Sequence, residues 1–245
     1  MISKETLNYF AATNASLIRG DIKALVMEFP GLDGGSCLGG QTRVGALESG
    51  YAIRLARKGI LLAYPFIGPW SWMNDVAVRT TDMVIDALKE AYALSEDITM
   101  VNTGGSMGGA GALMYTACGK HRAAACAVSG PVCDLMSVME DFPDGVCTVY
   151  RAVAHYDMPF VDAVKSISPL YRVEAMPRIP YFVAHTDADS IVRIEKNSEP
   201  FVEKMRSAGH DVEYIVVPGQ AHCDIGPGPQ LRFDEFVIAN ALGRG

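Results

Sequence analysis

The chain has 245 residues, 49% of them apolar, enough for one α/β domain that buries both faces of a sheet. Lysine and arginine total 21 against 28 aspartates and glutamates, a net charge of −7 without a long basic run, which excludes a nucleic-acid or anionic-membrane footprint. Met1-Ile2-Ser3-Lys4-Glu5-Thr6 lacks an apolar signal core and no stretch is long enough to span a bilayer, so the expectation is a cytoplasmic protein with no membrane partner.

Residues 1 to 23 offer only a short strand around Ser16-Leu17-Ile18. Ala24 to Phe29 is the first firm strand, ending in the turn cluster Pro30-Gly31-Leu32-Asp33-Gly34-Gly35. Leu47, Tyr51 and Leu55 recur every fourth position, so Val44 to Lys58 is expected as an amphipathic helix stopped by Gly59. Ile60 to Pro65 follows as a buried strand, and the alternation of strand and helix points to a parallel sheet with right-handed crossovers. Gly68 to Asp75 is a loop holding both tryptophans, Trp70 and Trp72, which either line a pocket or pack the loop onto the body. Val76 to Leu94 is a helix with Met83, Val84, Ala87, Leu88 and Ala91 on one face.

Ile98 to Asn102 then runs as a strand into Gly104-Gly105-Ser106-Met107-Gly108-Gly109, and Ala110 to Tyr115 continues as a helix. A serine in this strand–turn–helix setting is a nucleophile elbow: the sharp turn exposes a hydroxyl that needs a base and an oxyanion site to react at neutral pH. The plainer account is a glycine-rich turn whose serine caps the helix. Phosphate binding is excluded by the absence of Lys-Ser or Lys-Thr after the glycines.

Ala123 to Ser129 is a small-residue strand ended by Gly130-Pro131. Residues 132–178 break the strand–helix pattern, with Met136, Met139, Phe142, Tyr150, His155, Tyr156, Met158 and Phe160 scattered among acidic residues. They are expected to form a cap inserted into a single domain spanning 1–245, whose Met and aromatic positions either contact substrate or glue the insert down. Ile179 to His185 resumes the sheet, followed by the acidic turn Thr186-Asp187-Ala188-Asp189-Ser190, a helix from Ser198 to Ala208, and a last strand from Val212 to Val217. His222 lies in the turn after that strand, and a final helix carries Phe233, Phe236, Val237 and Ala241. Six dispersed cysteines without a Cys-x-x-Cys pair indicate neither a metal site nor a disulfide framework, and most are expected as buried thiols.

Serine, then acid, then histidine, each after a strand of a parallel sheet, is the chain order of the α/β-hydrolase fold and places the three on one sheet edge. Ser106 is the expected nucleophile and His222 the base, with Asp187 and Asp189 competing for the acid. The backbone N–H groups of Met107 and Leu32 are the candidate oxyanion donors, although the loop at Leu32 also fits a plain surface turn. Trp70, Trp72, His155 and Tyr156 are candidate pocket residues, while His121, His185 and His210 are expected to be structural. No metal or organic cofactor is implied.

At these motifs the chain resembles the α/β-hydrolase superfamily, in the branch of prolyl-oligopeptidase-like hydrolases, acetyl xylan esterases and feruloyl or cinnamoyl esterases, over about residues 24–242. Phe29 to Gly35 is similar to their oxyanion loop, with Pro30 where histidine is usual, and Gly104 to Gly109 to their nucleophile motif. His185 to Val192 resembles their His-Gly-x-x-Asp-x-x-Val-Pro, with Thr186 and Arg193 replacing Gly and Pro; the resemblance assigns the acid to Asp189. It implies a carboxylesterase acting on a small-molecule ester, with acetyl or hydroxycinnamoyl groups on a sugar or oligosaccharide as the substrate class. The peptidases of this branch carry an N-terminal propeller for which this chain has no room, which favours an esterase. A small peptidase or amidase is the alternative, and a non-catalytic binding module a further one. Exposed apolar cap residues would permit a homo-oligomer without requiring one.

Overall fold

The computed structural model describes residues 2–31, 49–68, 70–142 and 144–243. Among them seven strands form: β1 (Ala11–Thr13), β2 (Ala24–Phe29), β3 (Ile60–Pro65), β4 (Met100–Gly105), β5 (Ala125–Ser129), β6 (Tyr181–Thr186) and β7 (Val212–Val217), the central ones from mostly apolar runs. They lie in one sheet in the order β1-β3-β2-β4-β5-β6-β7. β1 runs antiparallel to β3 and every other pair is parallel. Parallel strands are covered on both faces, which is why their sequences do not alternate with polar residues.

Helices α1 (Gly50–Arg57), α2 (Asp75–Ala91), α3 (Met107–Cys118), α4 (Leu135–Asp141), α5 (Gly145–Val153), α6 (Phe160–Ser166), α7 (Ser198–Ser207) and α8 (Pro227–Ala241) supply the cover. On one face Leu25, Met27 and Phe29 of β2 pack with α2, α3 and α7 through residues such as Leu88, Leu113 and Phe201. On the other, Ala24 and Val26 pack with α1 and α8 through Leu55, Phe233 and Val237. The period-two side-chain direction of a strand divides β2 between these two cores. A third cluster joins Trp72 and Met107 to Leu135, Val149, Val164 and Val192, seating the inserted helices α4 to α6 over the carboxyl edge of the sheet. This is an α/β-hydrolase fold with a small helical insert.

Three expectations need correction. The first strand is Ala11–Thr13, and Ala15–Leu17, where the sequence suggested a strand, is a 3-10 turn. Ala-Ala-Thr carries little strand propensity; β1 forms because its neighbour ties it down. The fully buried Asn14 donates to Ala52 O at 3.1 Å and accepts from Leu62 N at 2.8 Å, locking the turn to β3 and α1. The second concerns the helix expected from Val44: its described part is α1, capped by Ser49 Oγ, which accepts from Ala52 N at 3.2 Å, while residues 44–48 lie outside the described residues. The third concerns the thiols: Cys126 and Cys133 are buried, but Cys118 and Cys147 are exposed and Cys223 is half-buried, and Cys37 lies outside the described residues. Among the described residues no helix is long and apolar enough to cross a membrane.

Candidate active site

β4 ends at Gly105 and α3 starts at Met107, so the turn between them is Ser106 alone. Its φ of 56° and ψ of −126° are a conformation that non-glycine residues rarely adopt and that persists only where the surroundings impose it. Here the Ser106 amide donates to Ser129 O at 3.1 Å, and its carbonyl accepts from Ala110 N and Val132 N, both at 3.2 Å. The neighbouring glycines are required by close approach. A Cβ on Gly104 would sit 2.3 Å from Gly108 O, and one on Gly108 would sit 2.1 Å from Phe29 O. The Ser106 side chain makes no capping hydrogen bond to α3, so the helix-cap account does not describe it. Met107 opens α3, where an amide has no acceptor within its own helix and is free to serve an anion. Leu32, the other candidate oxyanion donor, lies outside the described residues.

The acidic turn after β6 separates its two aspartates cleanly. Asp187 accepts from Gly219 N at 2.7 Å and ties two exposed turns together. Asp189 turns inward: its Oδ1 accepts from the Ile191 and Val192 amides at 2.9 and 2.8 Å. Its Oδ2 accepts from His222 Nδ1 at 2.5 Å and from His185 Nε2 at 3.2 Å. Burial alone would raise the Asp189 carboxyl, but the bonds from His185, His222 and Val192 hold it well below the usual carboxylate range. For His222, burial alone would lower the imidazole; the Asp189 carboxylate and the Cys223 thiol outweigh it and raise the pKa to about 9. With Nδ1–H committed to Asp189, the second ring nitrogen is the one left for proton exchange. Nε2 lies 3.5 Å from Cys223 Sγ.

Ser106 and His222 open onto a single cavity of about 760 Å³, walled by Phe29, Tyr64, Trp70, Trp72, Val132, Val138, Phe142, Ile191 and Val192. Glu28, Asp144 and Thr148 add polar groups to its lining. Trp70, Trp72 and Met73 all have φ near 50°, three left-handed residues within four positions, and Trp72 Nε1–H donates to Thr148 Oγ1 of α5 at 3.3 Å. The loop is thereby bent so that both indoles reach the cavity wall.

His155 and Tyr156 are not among the lining residues. His155 Nε2 lies 2.6 Å from Asp75 Oδ1 and Tyr156 OH accepts from Asp75 N at 2.9 Å, so both serve the start of α2. The Asp75 carboxyl, which burial alone would raise, is lowered to about 2 by hydrogen bonds from His155 and Arg79. Of the cap residues singled out in the sequence, Phe142 reaches the cavity, whereas Tyr150, Met158 and Phe160 are exposed on the outside. Cys223 was missed, adjacency to His222 being its only signal; His185, expected to be structural, bonds the acid four residues on. Among the described residues no cluster of three or more His, Cys, Asp or Glu side chains is arranged to hold a metal ion.

A serine on a strand-to-helix elbow and a histidine bound to an aspartate, lining one cavity at the carboxyl edge of a parallel sheet, are the arrangement expected of a serine-hydrolase-type α/β fold. The chain belongs to the prolyl oligopeptidase family, whose model matches residues 74–237, well over half of its length. No curated protein matches it. Among solved structures it is similar to a puromycin-hydrolyzing peptidase of Mycobacterium tuberculosis, with 17% identity and a TM-score of 0.69, covering 93% of this chain and 35% of that one. Esterase B from Lactobacillus rhamnosis is similar at 14% identity and a TM-score of 0.70, covering 93% of this chain and 79% of the other. A truncated carbohydrate esterase from gut microbiota gives 14% identity and a TM-score of 0.68, with coverages of 91% and 87%. At these identities the likeness is one of fold. The chain spans about a third of the length of the peptidase structures it matches.

Proposed function

We propose that the protein is a carboxylesterase that cleaves a small acyl ester through Ser106, His222 and Asp189. The observation that carries this reading is that the strained Ser106 and the Asp189-bound His222 open onto one apolar, aromatic-walled cavity. His222 Nε2 takes the Ser106 proton as Oγ attacks the ester carbonyl, and Asp189 holds the ring in the tautomer this needs and stabilises the imidazolium. The oxyanion is met by the Met107 amide, with that of Leu32 proposed as the second donor on family resemblance. Collapse expels the alcohol with a proton from His222; water, deprotonated by the same ring, then releases the acid from the acyl-enzyme. Trp70, Trp72 and Phe142 offer flat apolar surface to the acyl group, which suits a hydroxycinnamoyl chain, and acetyl is the smaller alternative. A sugar or oligosaccharide remains the proposed alcohol on family resemblance alone.

The test is steady-state hydrolysis of p-nitrophenyl esters from acetate to octanoate by the wild type and by Ser106→Ala. Loss of several orders of magnitude in the variant is expected, and the chain-length profile measures the acyl pocket. A wild type inert toward every ester, or a variant that keeps its rate, overturns the assignment. The family match to prolyl oligopeptidases favours a second reading, a small peptidase or amidase. Amine release from aminoacyl amides, faster than ester cleavage and equally dependent on Ser106, would install it instead.

A further inference from the structure

Asp189 is pinned by donors on both oxygens, and only one of those donors beside His222 is a side chain. Oδ1 is held by the backbone of its own turn, through the Ile191 and Val192 amides. Oδ2 is shared between His222 Nδ1 and His185 Nε2. His185, on β6, is wholly buried, and its Nε2 also lies 2.8 Å from Val192 O. Facing two acceptors, that nitrogen must carry the proton. Its Nδ1 lies 2.6 Å from Ser198 Oγ, and Ser198 Oγ lies 3.0 Å from Tyr214 OH. Tyr214 donating to Ser198, and Ser198 to Nδ1, gives every polar atom in the row a partner and leaves a single tautomer for the neutral ring.

We propose that His185 is a positioning residue for this site: steered by Ser198 and Tyr214, it holds the Asp189 carboxylate in the plane that engages His222. The proposal rests on the assignment of Asp189 and His222 as acid and base. Without His185, Oδ2 would keep His222 as its one side-chain partner while the two backbone amides still hold Oδ1. An oxygen relieved of one donor also carries more negative charge and binds the imidazolium form of His222 more tightly, making the ring a slower base near neutrality. The charged and titratable groups around the row come from four places. Glu199 and Arg206 flank Tyr214 from α7, with the guanidinium over its ring, and the Cys133 thiol approaches it from the start of the insert. Asp189 and His222 stand at the other end.

The experiment follows the imidazole of His222 by NMR in isotope-labelled full-length protein, identified by its loss in His222→Gln. In His185→Leu its titration should move up by at least about half a pH unit, with kcat at pH 7 falling about tenfold and KM little changed. His185→Gln, whose amide N–H can reach Oδ2, should restore both. Ser198→Ala, which frees the His185 tautomer, should shift the titration in the same direction by less, and serves if the leucine variant does not fold. A His222 titration that stays put or falls in the folded variants, or a glutamine variant that restores nothing, overturns the proposal. Lack of hydrolysis by the wild type would instead remove the esterase reading, and the NMR titration would still decide the part played by His185.

Discussion

At the scale of single residues, the chemistry is set by what surrounds one imidazole. The proposed mechanism needs neutral His222, whose folded pKa is raised from 6.5 to about 9, so kcat/KM should climb with pH well past neutrality. The Cys223 thiol contributes to that elevation, so Cys223→Ala should move the acid limb of the pH–rate profile to lower pH; a limb that does not move would show that the thiol leaves the base untouched. The placement of Ser106 and His222 on one cavity at the carboxyl edge of the sheet was legible because the elbow glycines and the order of strands leave few other places for them. Asp189 was separable from Asp187 only by resemblance, since both sit in one acidic turn; the difference lies in which carboxylate bends inward, and that is set by two backbone amides. His185 was legible as a structural histidine but not as a partner of the acid, and Cys223 was illegible, because what each touches comes from side-chain contacts rather than spacing.

At the scale of elements, strain and close approach decide which changes are tolerated. Gly108→Ala would drive a methyl into Phe29 O and should separate α3 from β2, giving loss of activity together with a stability loss of about 3 kcal/mol or more, read by urea denaturation. Asn14→Ala should cost about 1 to 3 kcal/mol without altering kcat, because it strands the buried Leu62 N inside the fold, and Asn14 is not among the cavity-lining residues. The strand β3 was readable to the residue, since a buried parallel strand is an uninterrupted apolar run; β7, a half-exposed edge strand containing Glu213, was readable from its β-branched and aromatic residues. β1 was not: it is an edge strand of weak propensity stabilised by a side chain beyond its end. The insert was legible as a break in rhythm, yet which of its aromatics face inward depends on how α4 to α6 pack, and that carries no linear signature.

At the scale of the whole molecule, protonation should tilt the stability of the fold toward mild acid. Burial, reinforced by the Asp234 carboxylate, pushes the Glu28 carboxyl up to about 7, so the folded state prefers it protonated. Its contribution is therefore intact below about 4.5 and lost as pH rises to about 7, and Glu28→Gln should gain about 2 to 3 kcal/mol above neutrality. His222, with its pKa raised, contributes stability that is complete below 6.5 and lost as pH climbs through about 9. Asp189 acts oppositely, contributing stability above 3.8 that is lost as pH falls further. Together they favour the folded state most at about pH 4 to 5, between the loss of the Asp189 contribution and that of Glu28 and on the acid side of the expected activity, which thermal melts across pH would show. The bent loop beside the cavity has an optical consequence. Trp70 and Trp72 are the only tryptophans of the chain, and both lie on the cavity wall. Intrinsic emission is thus a report from one place: it should change when an acyl group docks against the indoles. During denaturation it should follow the seating of the helical insert, while circular dichroism follows the sheet, so that any gap between the two curves measures how independently the roof of the cavity lifts.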